Sequence, residues 1–266
     1  LSIAVLISLC AVLAANSRFT QNADTQVLRI HCAAGIKNAI DPAIHDFIAR
    51  TGIEVEVTFG GSGVLLSDFR TRPSGVDLFI AADDQYTQSA KNFGLIEKSA
   101  PLARMQPVLA FPKENPHNIG GIEDLLGKPI RLALANPDTA AIGKCTQQAL
   151  STSGYWEIIS SQVTVYKPTV NELANDLKLN AVDVAITWDA TARQYPEIDF
   201  VHPPEFADAG STVSAGISTT THMPDAAQLL MNDLTDATRG GRYFEAWGYT
   251  PLTSKGPLSS TGGFLP

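Results

Sequence analysis

The sequence predicts an α/β fold in which mostly parallel sheets are flanked by helices, and three observations support this class. Short apolar strands alternate with amphipathic helices from about 27 to 246, which is the pattern of parallel sheets. Glycine-rich loops join several of these strands to the following helices. The chain has 266 residues, of which 44% are apolar, so it is long enough to build two domains with separate cores.

The most informative loop is Phe59-Gly60-Gly61-Ser62-Gly63. The residues from 53 to 59 alternate between apolar and polar side chains, which predicts a strand. Val64, Leu65 and Phe69 then follow at helical spacing. Because the loop opens onto unpaired N–H groups at the positive end of a helix, it predicts an anion site in which Ser62 contacts the ligand. An ordinary strand-to-helix turn is the alternative interpretation of this loop.

The first half of the chain continues this pattern in order. A strand over 27–33 leads through Ala34-Gly35-Ile36 into a helix that has Pro42 near its first turn and ends at Gly52. A strand over 76–82 precedes a helix capped by Asp83. The next predicted strand, over 106–111, is expected to cross into a second α/β series.

The second half repeats strand, loop and helix. A loop over 136–143 leads into a helix through Cys145 and Leu150, and Asp189 is predicted to be the N-cap of a helix that follows the strand ending at Trp188. The other predicted elements are a short helix over 119–126, strands over 129–135, 163–166 and 182–188, and a helix over 170–179.

Three of the loops, at Gly35, Ser62 and Ile142, each follow a strand and precede a helix. Ligands of open α/β sheets gather at the carboxyl ends of the strands, so these loops are expected to meet at one site. Several helix N-termini would stabilise a dianion there even though the chain carries a formal charge of −8. A ring of neutral N–H and O–H donors favours a fully deprotonated oxyanion, because it offers few acceptors to a protonated one.

Composition and motif spacing exclude several other functions. The 19 basic side chains are scattered and form no basic run, which argues against nucleic acid as a partner. The five histidines have no metal-ligand spacing, so no metal or cofactor is predicted, and His31 is interpreted as structural. A nucleophile elbow would need glycine at position 64, where Val64 stands. The chain is therefore predicted not to be an enzyme, with a serine hydrolase using Ser62 as a distant alternative.

The N-terminal segment and the cysteines predict an exported protein. Residues 1–15 are uncharged and mostly aliphatic, and they are too few to span a bilayer, which predicts a signal peptide or an N-terminal anchor. Lipidation of Cys10 is an alternative, although Leu9 fits a lipoprotein signal badly. Cys32 and Cys145 are expected to be two buried thiols, with a single disulfide as the other possibility. The tail over 253–266 is expected to be loosely ordered.

Five segments, in order and at similar spacing, resemble the periplasmic molybdate-binding proteins of ABC importers. They are Cys32 to Ala39, Phe59 to Gly63, Val76 to Asp83, Ala135-Asn136-Pro137 with Gly143, and Tyr243 to Tyr249. The resemblance covers about 27 to 252. It implies a type II periplasmic binding protein with lobe 1 over 25–105 plus 207–266 and lobe 2 over 106–206. It also implies a monomer that holds a tetrahedral oxyanion in the interlobe cleft and delivers it to a membrane permease.

The resemblance also implies particular ligand contacts. Gly61 and Ser62 lie in the loop that carries a ligand serine, Ile142 and Val170 match positions that donate backbone N–H groups, and Trp188 falls near a tyrosine that reaches the anion. Gly35 stands where the family usually has a serine, Trp188 offers only its indole N–H, and Ala141 replaces a proline.

The missing serine bears on which ligand is bound. Loss of one donor to a buried dianion should cost about 1 to 3 kcal/mol unless Thr187, Thr139 or a water molecule replaces it. The resemblance makes molybdate, or tungstate, the first expectation. Sulfate, phosphate, a small organic anion or a metal ion bound by the same fold are the alternatives.

Overall fold

The computed structural model describes residues 27–252, which fold into two five-stranded mixed sheets flanked by helices. This confirms the predicted fold class. The predicted signal or anchor over 1–15, with Cys10, and the tail over 253–266 lie outside the described residues. In the part of the chain that the structure describes, no helix is both long and apolar enough to cross a membrane.

The first sheet has the strand order β2-β1-β3-β10-β4. Its strands are β1 (Leu28–Ala33), β2 (Val55–Gly60), β3 (Leu78–Ala81), β4 (Ile96–Met105) and β10 (Ser211–Ser218). β1 runs parallel to β2 and β3, whereas β10 runs antiparallel to β3 and β4. The accompanying helices are α1 (Lys37–Thr51), α2 (Ser62–Thr71), α3 (Asp84–Asn92), α8 (Pro224–Thr235) and α9 (Arg242–Ala246).

The second sheet repeats this plan with the order β7-β6-β8-β5-β9. Its strands are β5 (Pro107–Pro112), β6 (Leu132–Ala135), β7 (Val163–Lys167), β8 (Val184–Trp188) and β9 (Ile198–Val201). β6 runs parallel to β7 and β8, and β5 runs antiparallel to β8 and β9. The accompanying helices are α4 (Ala141–Thr152), α5 (Trp156–Ser161), α6 (Val170–Lys178) and α7 (Asp189–Ala192).

The described chain passes between the sheets twice, once at Gln106 between β4 and β5 and once over 202–210 between β9 and β10. Asp189 fastens the first crossing. Its backbone N–H donates to the Gln106 carbonyl at 2.9 Å, and its carboxylate Oδ1 accepts from the Gln106 N–H at 2.9 Å. Asp189 was predicted to be the N-cap of α7, but Trp188 holds that position and Asp189 is the first helical residue. The predicted lobe boundaries fall within the two crossings and stay a prediction.

The cores of the two sheets are built from aliphatic and aromatic side chains. Phe47, Phe69 and Phe79 are fully buried around the first sheet, and Leu109 and Ile186 are fully buried in the second. Burying a side chain of this size contributes about 1.5 to 3 kcal/mol relative to leaving it exposed.

The two cysteines within the described range are free and buried, as expected for the thiol interpretation. Cys32 lies in β1 and Cys145 lies in α4. Burial raises the pKa of the Cys145 thiol to about 12 and raises that of Cys32 as well. Both thiols are therefore protonated and unreactive at neutral pH.

Besides the Asp189 cap, two sequence predictions were wrong in detail, and several elements, namely β4, β9, β10, α5 and α8, were not predicted. β4 was not predicted, because this edge strand carries Glu97, Lys98 and Pro101 in place of an apolar alternation, and Pro101 lies at a register shift against β10. The helix predicted over 119–126 is only a short 3-10 turn, Ile122–Leu125. Pro42 lies in the interior of α1, where its missing N–H leaves the carbonyl of residue 38 without a helical donor.

Candidate functional site

A small cavity of about 270 Å³ lies where the strand ends of the two sheets meet. Its walls come from the ends of β1, β2 and β8, from Ala82 after β3, and from the residues that open α2, α4 and α6. All six residues predicted to contact the ligand line it, namely Gly35, Gly61, Ser62, Ile142, Val170 and Trp188. Residues as far apart in the sequence as 35 and 188 therefore form one wall.

The N-termini of three helices border this cavity directly. The N-caps Gly61, Ala140 and Thr169 of α2, α4 and α6 all line it. The cavity also touches the 3-10 turn Ala34–Ile36, which leads into α1. The first N–H groups of a helix have no partner within the helix, and the helix dipole makes this end positive. The cavity is thus surrounded by neutral groups that favour negative charge.

Charged side chains take no part in the wall. Among the described residues that line the cavity, every side chain is small, aliphatic, hydroxyl-bearing or indole. An ion held here would be stabilised by dipoles and hydrogen bonds, since no lysine, arginine or histidine within residues 27–252 lines the cavity.

The Ser62 hydroxyl is oriented by the backbone of the first sheet. Ser62 is the first residue of α2 and is only 1% exposed. Its Oγ accepts a hydrogen bond from the Ala82 N–H at 3.1 Å. This bond uses an oxygen lone pair and leaves the hydroxyl hydrogen without an acceptor among the residues that the structure describes. A ligand oxygen in the cavity would supply that acceptor.

Backbone donors come from the second sheet. Ile142 is the second residue of α4 and Val170 is the first residue of α6, so neither N–H has a partner within its helix. Both residues are almost fully buried. The Thr169 hydroxyl is already engaged, because it donates to Glu172 Oε1 at 3.0 Å and accepts from the Glu172 N–H at 3.4 Å.

The glycines of the Ser62 loop bring the two sheets into close contact. The Gly63 N–H donates to the Thr139 carbonyl at 3.1 Å. A Cβ atom on Gly61 would lie 2.3 Å from the Thr139 oxygen and 2.9 Å from the Pro168 oxygen. Only glycine fits between these carbonyls, so the structure describes a closed cleft.

Gly35 is similarly enclosed by the other sheet. A Cβ atom at this position would lie 2.7 Å from Val170 Cγ2 and 3.7 Å from Thr191 Oγ1. The Asn171 side chain donates to the Ala34 carbonyl at 3.0 Å, and the Tyr249 hydroxyl donates to the Gly35 carbonyl at 2.5 Å. The space for a side chain at position 35 is therefore already occupied in this state.

Trp188 and His31 differ in their relation to the cavity. Trp188 ends β8, is 1% exposed and lines the cavity. His31 lies outside the wall, and its Nε2 is 3.4 Å from an oxygen of Asp68. Burial lowers the pKa of His31, so this histidine is neutral at pH 7.

Sequence reasoning missed Thr169 and Thr191 at this site. The run Thr169-Val170-Asn171-Glu172 has the spacing of a capping box, a signal that was available in the sequence. Nothing local marks Thr191, which is brought next to Gly35 only by the packing of the two sheets.

A larger cavity of about 850 Å³ lies between α4 and the second crossing. Asp83, Glu205 and Asp208 line it, so its charge disfavours an anion. Asp83 caps α3 as predicted, since its Oδ1 accepts from the Gln85 N–H at 2.8 Å. Burial raises the pKa of the Asp83 carboxyl.

Within residues 27–252 no group of three or more histidine, cysteine or acidic side chains is arranged to hold a metal ion.

Comparison with known proteins places the chain among binding proteins. The family model described as bacterial extracellular solute-binding protein matches residues 28–250. A curated relative from Haemophilus influenzae, described as a putative binding protein, is 26% identical over 224 residues, which cover 84% of this chain and 91% of the relative.

Solved structures share the fold at low identity. The periplasmic molybdate-binding protein of Azotobacter vinelandii superposes with a TM-score of 0.73 at 19% identity, over 85% of this chain and 100% of that one. The sulfate-binding protein SubI of Mycobacterium tuberculosis gives 0.75 at 15% identity, over 86% and 88%. Iron-bound HitA of Pseudomonas aeruginosa gives 0.69 at 13% identity, over 88% and 89%. These likenesses establish the two-lobed fold and leave the ligand open.

Proposed function

Because this chain belongs to the bacterial extracellular solute-binding protein family, we propose that it binds a small tetrahedral oxyanion, molybdate or tungstate first. In this proposal the chain acts outside the cytoplasm, closes its two lobes on the anion and delivers it to an ABC permease. The role is one of binding, as the family description states.

The observation that carries the proposal is the set of donors around an uncharged cavity. The N-caps of three helices and the Ser62 hydroxyl border the same small space. Helix N-termini bind anions through their unpaired N–H groups and their dipoles. No cationic side chain is needed, which fits an acidic protein whose formal charge is −8.

The size of the cavity favours an ion of a few atoms. Pockets for drug-sized ligands measure roughly 300 to 1,000 Å³, whereas the room for the centre of a water-sized sphere in this cavity is only about 20 Å³. A tetrahedral oxyanion presents acceptor oxygens in several directions, so donors from both lobes can reach it at once.

Neutral donors also favour a fully ionised ligand. Phosphate retains a proton near neutral pH and needs an acceptor for it, while molybdate, tungstate and sulfate do not. The Ser62 oxygen already accepts from the Ala82 N–H. Sulfate bound by the same fold is the nearest alternative, and other small anions or a metal ion are more distant ones.

A hydrolase based on Ser62 has less support. A serine nucleophile requires a general base within hydrogen-bond reach. In the described chain the Ser62 hydroxyl is hydrogen-bonded to a backbone N–H, and His31 Nε2 lies next to an oxygen of Asp68.

Titration calorimetry tests the proposal on the purified mature chain with molybdate, tungstate, sulfate, phosphate and small carboxylates. We expect one-to-one binding of molybdate and tungstate, weaker binding of sulfate, and a matching rise in melting temperature, because a ligand specific to the native state stabilises it. Binding of a carboxylate or a metal ion, with no response to any oxyanion, would overturn the proposal and leave the family assignment intact.

A further inference from the structure

Thr191 has a buried hydroxyl group without a partner. The residue lies in α7, directly after the strand β8 that ends at Trp188. It is only 1% exposed, and its Oγ1 makes no hydrogen bond to any residue that the structure describes. Burying a hydroxyl without a partner destabilises a protein, so an orphaned hydroxyl at a cleft suggests a partner that binds later.

The position of this hydroxyl gives it a specific relation to the anion cavity. Thr191 Oγ1 lies 3.7 Å from the point where a side chain on Gly35 would begin. Gly35 itself lines the cavity, as does Val170, whose Cγ2 lies 2.7 Å from that point. Thr191 is not among the residues that line the cavity, so its hydroxyl lies beside Gly35, directly behind the cavity wall and on the opposite lobe.

The gap at position 35 is thus filled from the second sheet. Val170 takes up the volume that a side chain on residue 35 would need, and Thr191 brings a hydroxyl to the same place. A serine at position 35 would collide with Val170, so the hydroxyl could not come from the first lobe without moving the second.

The two other side-chain candidates for this donor are placed less favourably. Thr139 Oγ1 lies 3.5 Å from the Asn136 carbonyl, and its own carbonyl accepts from Gly63. Thr187 is fully buried, and its hydroxyl also has no hydrogen-bond partner in the described part of the chain. It lies within β8, however, and does not appear among the atoms near Gly35.

We propose that Thr191 donates a hydrogen bond from the second lobe to an oxygen of the bound oxyanion, in place of the side-chain donor that Gly35 cannot supply. This inference rests on the proposed oxyanion-binding function. It makes Thr191 a specificity-determining residue whose contact forms only when the lobes close, since Thr191 follows β8 of the second sheet and Gly35 follows β1 of the first.

The test compares Thr191→Val, Thr191→Ser and Thr187→Val by calorimetry with sodium molybdate, or with tungstate or sulfate if the unmodified chain binds only that ion. Valine keeps the shape of threonine and removes the hydroxyl. We expect Thr191→Val to weaken binding roughly tenfold to a hundredfold, which is the range for one hydrogen bond to a charged group. Thr191→Ser should retain most of the affinity, and Thr187→Val should stay within about twofold of the unmodified chain.

The ligand-free melting temperature separates a ligand contact from a structural role. Removing an orphaned hydroxyl should leave the melting temperature of Thr191→Val unchanged or raise it, because no bond is lost in the empty protein. A lowered melting temperature with unchanged affinity would overturn the inference, and so would a loss of affinity in Thr187→Val alone.

If the unmodified chain binds the anion and Thr191→Val binds it equally well, the inference fails while the proposed function stands. If the unmodified chain binds no oxyanion, both fail.

Discussion

At the scale of single residues, Ser62 shows how one hydroxyl can serve both the fold and the site. Its oxygen accepts from the Ala82 N–H, which fixes the loop after β3 against the start of α2. The same bond directs the hydroxyl hydrogen away from Ala82, because an oxygen that accepts one bond donates in another direction. The fixed orientation reduces the entropy that the serine loses when a ligand binds.

Replacing Ser62 with alanine should therefore change two quantities. We expect affinity for the oxyanion to fall roughly tenfold to a hundredfold, and the free energy of unfolding to fall by about 1 kcal/mol because the Ala82 N–H loses its acceptor. Calorimetry measures the first and urea denaturation the second. Ser67→Ala, on the exposed face of the same helix, is the matched control and should change neither. An unaltered affinity in Ser62→Ala would remove Ser62 from the site.

At the scale of elements, each sheet contains one strand that runs against the other four. These strands are β10 and β5, and each directly follows a crossing between the sheets. The other strands run in one direction, so their carboxyl ends point toward the cleft, and the helices that follow begin there. The same strand plan, used in both lobes, thus places helix N-termini on two sides of the cavity.

The first crossing depends on the reciprocal pair between Asp189 and Gln106. Asp189 Oδ1 also accepts from the Ala190 N–H at 2.8 Å, so one buried carboxylate satisfies two backbone groups. We expect Asp189→Ala to lower the free energy of unfolding by about 1 to 3 kcal/mol, since the Gln106 N–H loses its acceptor.

Asp189→Asn is the matched variant for this prediction, because its amide oxygen can still accept both bonds. It should recover at least half of the lost stability in urea denaturation. Equal instability of the two variants would show that the negative charge, and not the hydrogen-bond acceptor, holds the crossing.

At the scale of the whole molecule, the close contact between the lobes depends on glycine. The carbonyls of Thr139 and Pro168 approach Gly61 so closely that a methyl group there cannot fit. Such a contact exists only when the lobes are closed, so closure and binding share the same surfaces.

Gly61→Ala should consequently hold the cleft open. We expect roughly a tenfold or greater loss of affinity, because overpacking of a tight contact opposes the closed state. Small-angle scattering should show that saturating ligand no longer reduces the radius of gyration. Gly75→Ala is the control, since a Cβ there meets no atom within 4 Å. A variant that still contracts fully with ligand would show that the lobes close without the Gly61 contact.

Much of the fold could be predicted from the sequence because local patterns carry it. Interactions between neighbouring residues determine the glycine loops, the strand predicted from the alternation of residues 53 to 59, and the helix end at Gly52. Gly52 adopts a φ of 70°, as a glycine at a helix C-terminus commonly does. β4 escaped prediction because an edge strand needs only one buried face and tolerates polar residues and proline.

The sequence by itself determined the α/β class and the strand-to-helix loops, and together with the family resemblance it predicted six of the residues that line the cavity. Only the tertiary structure decided that Val170 fills the space beside Gly35 and that the Thr191 hydroxyl stands unpaired next to it. The physical reason is that a loop's conformation depends on residues a few positions away. A contact between lobes depends on how the two sheets pack against each other, and the residues it joins are 135 to 156 positions apart.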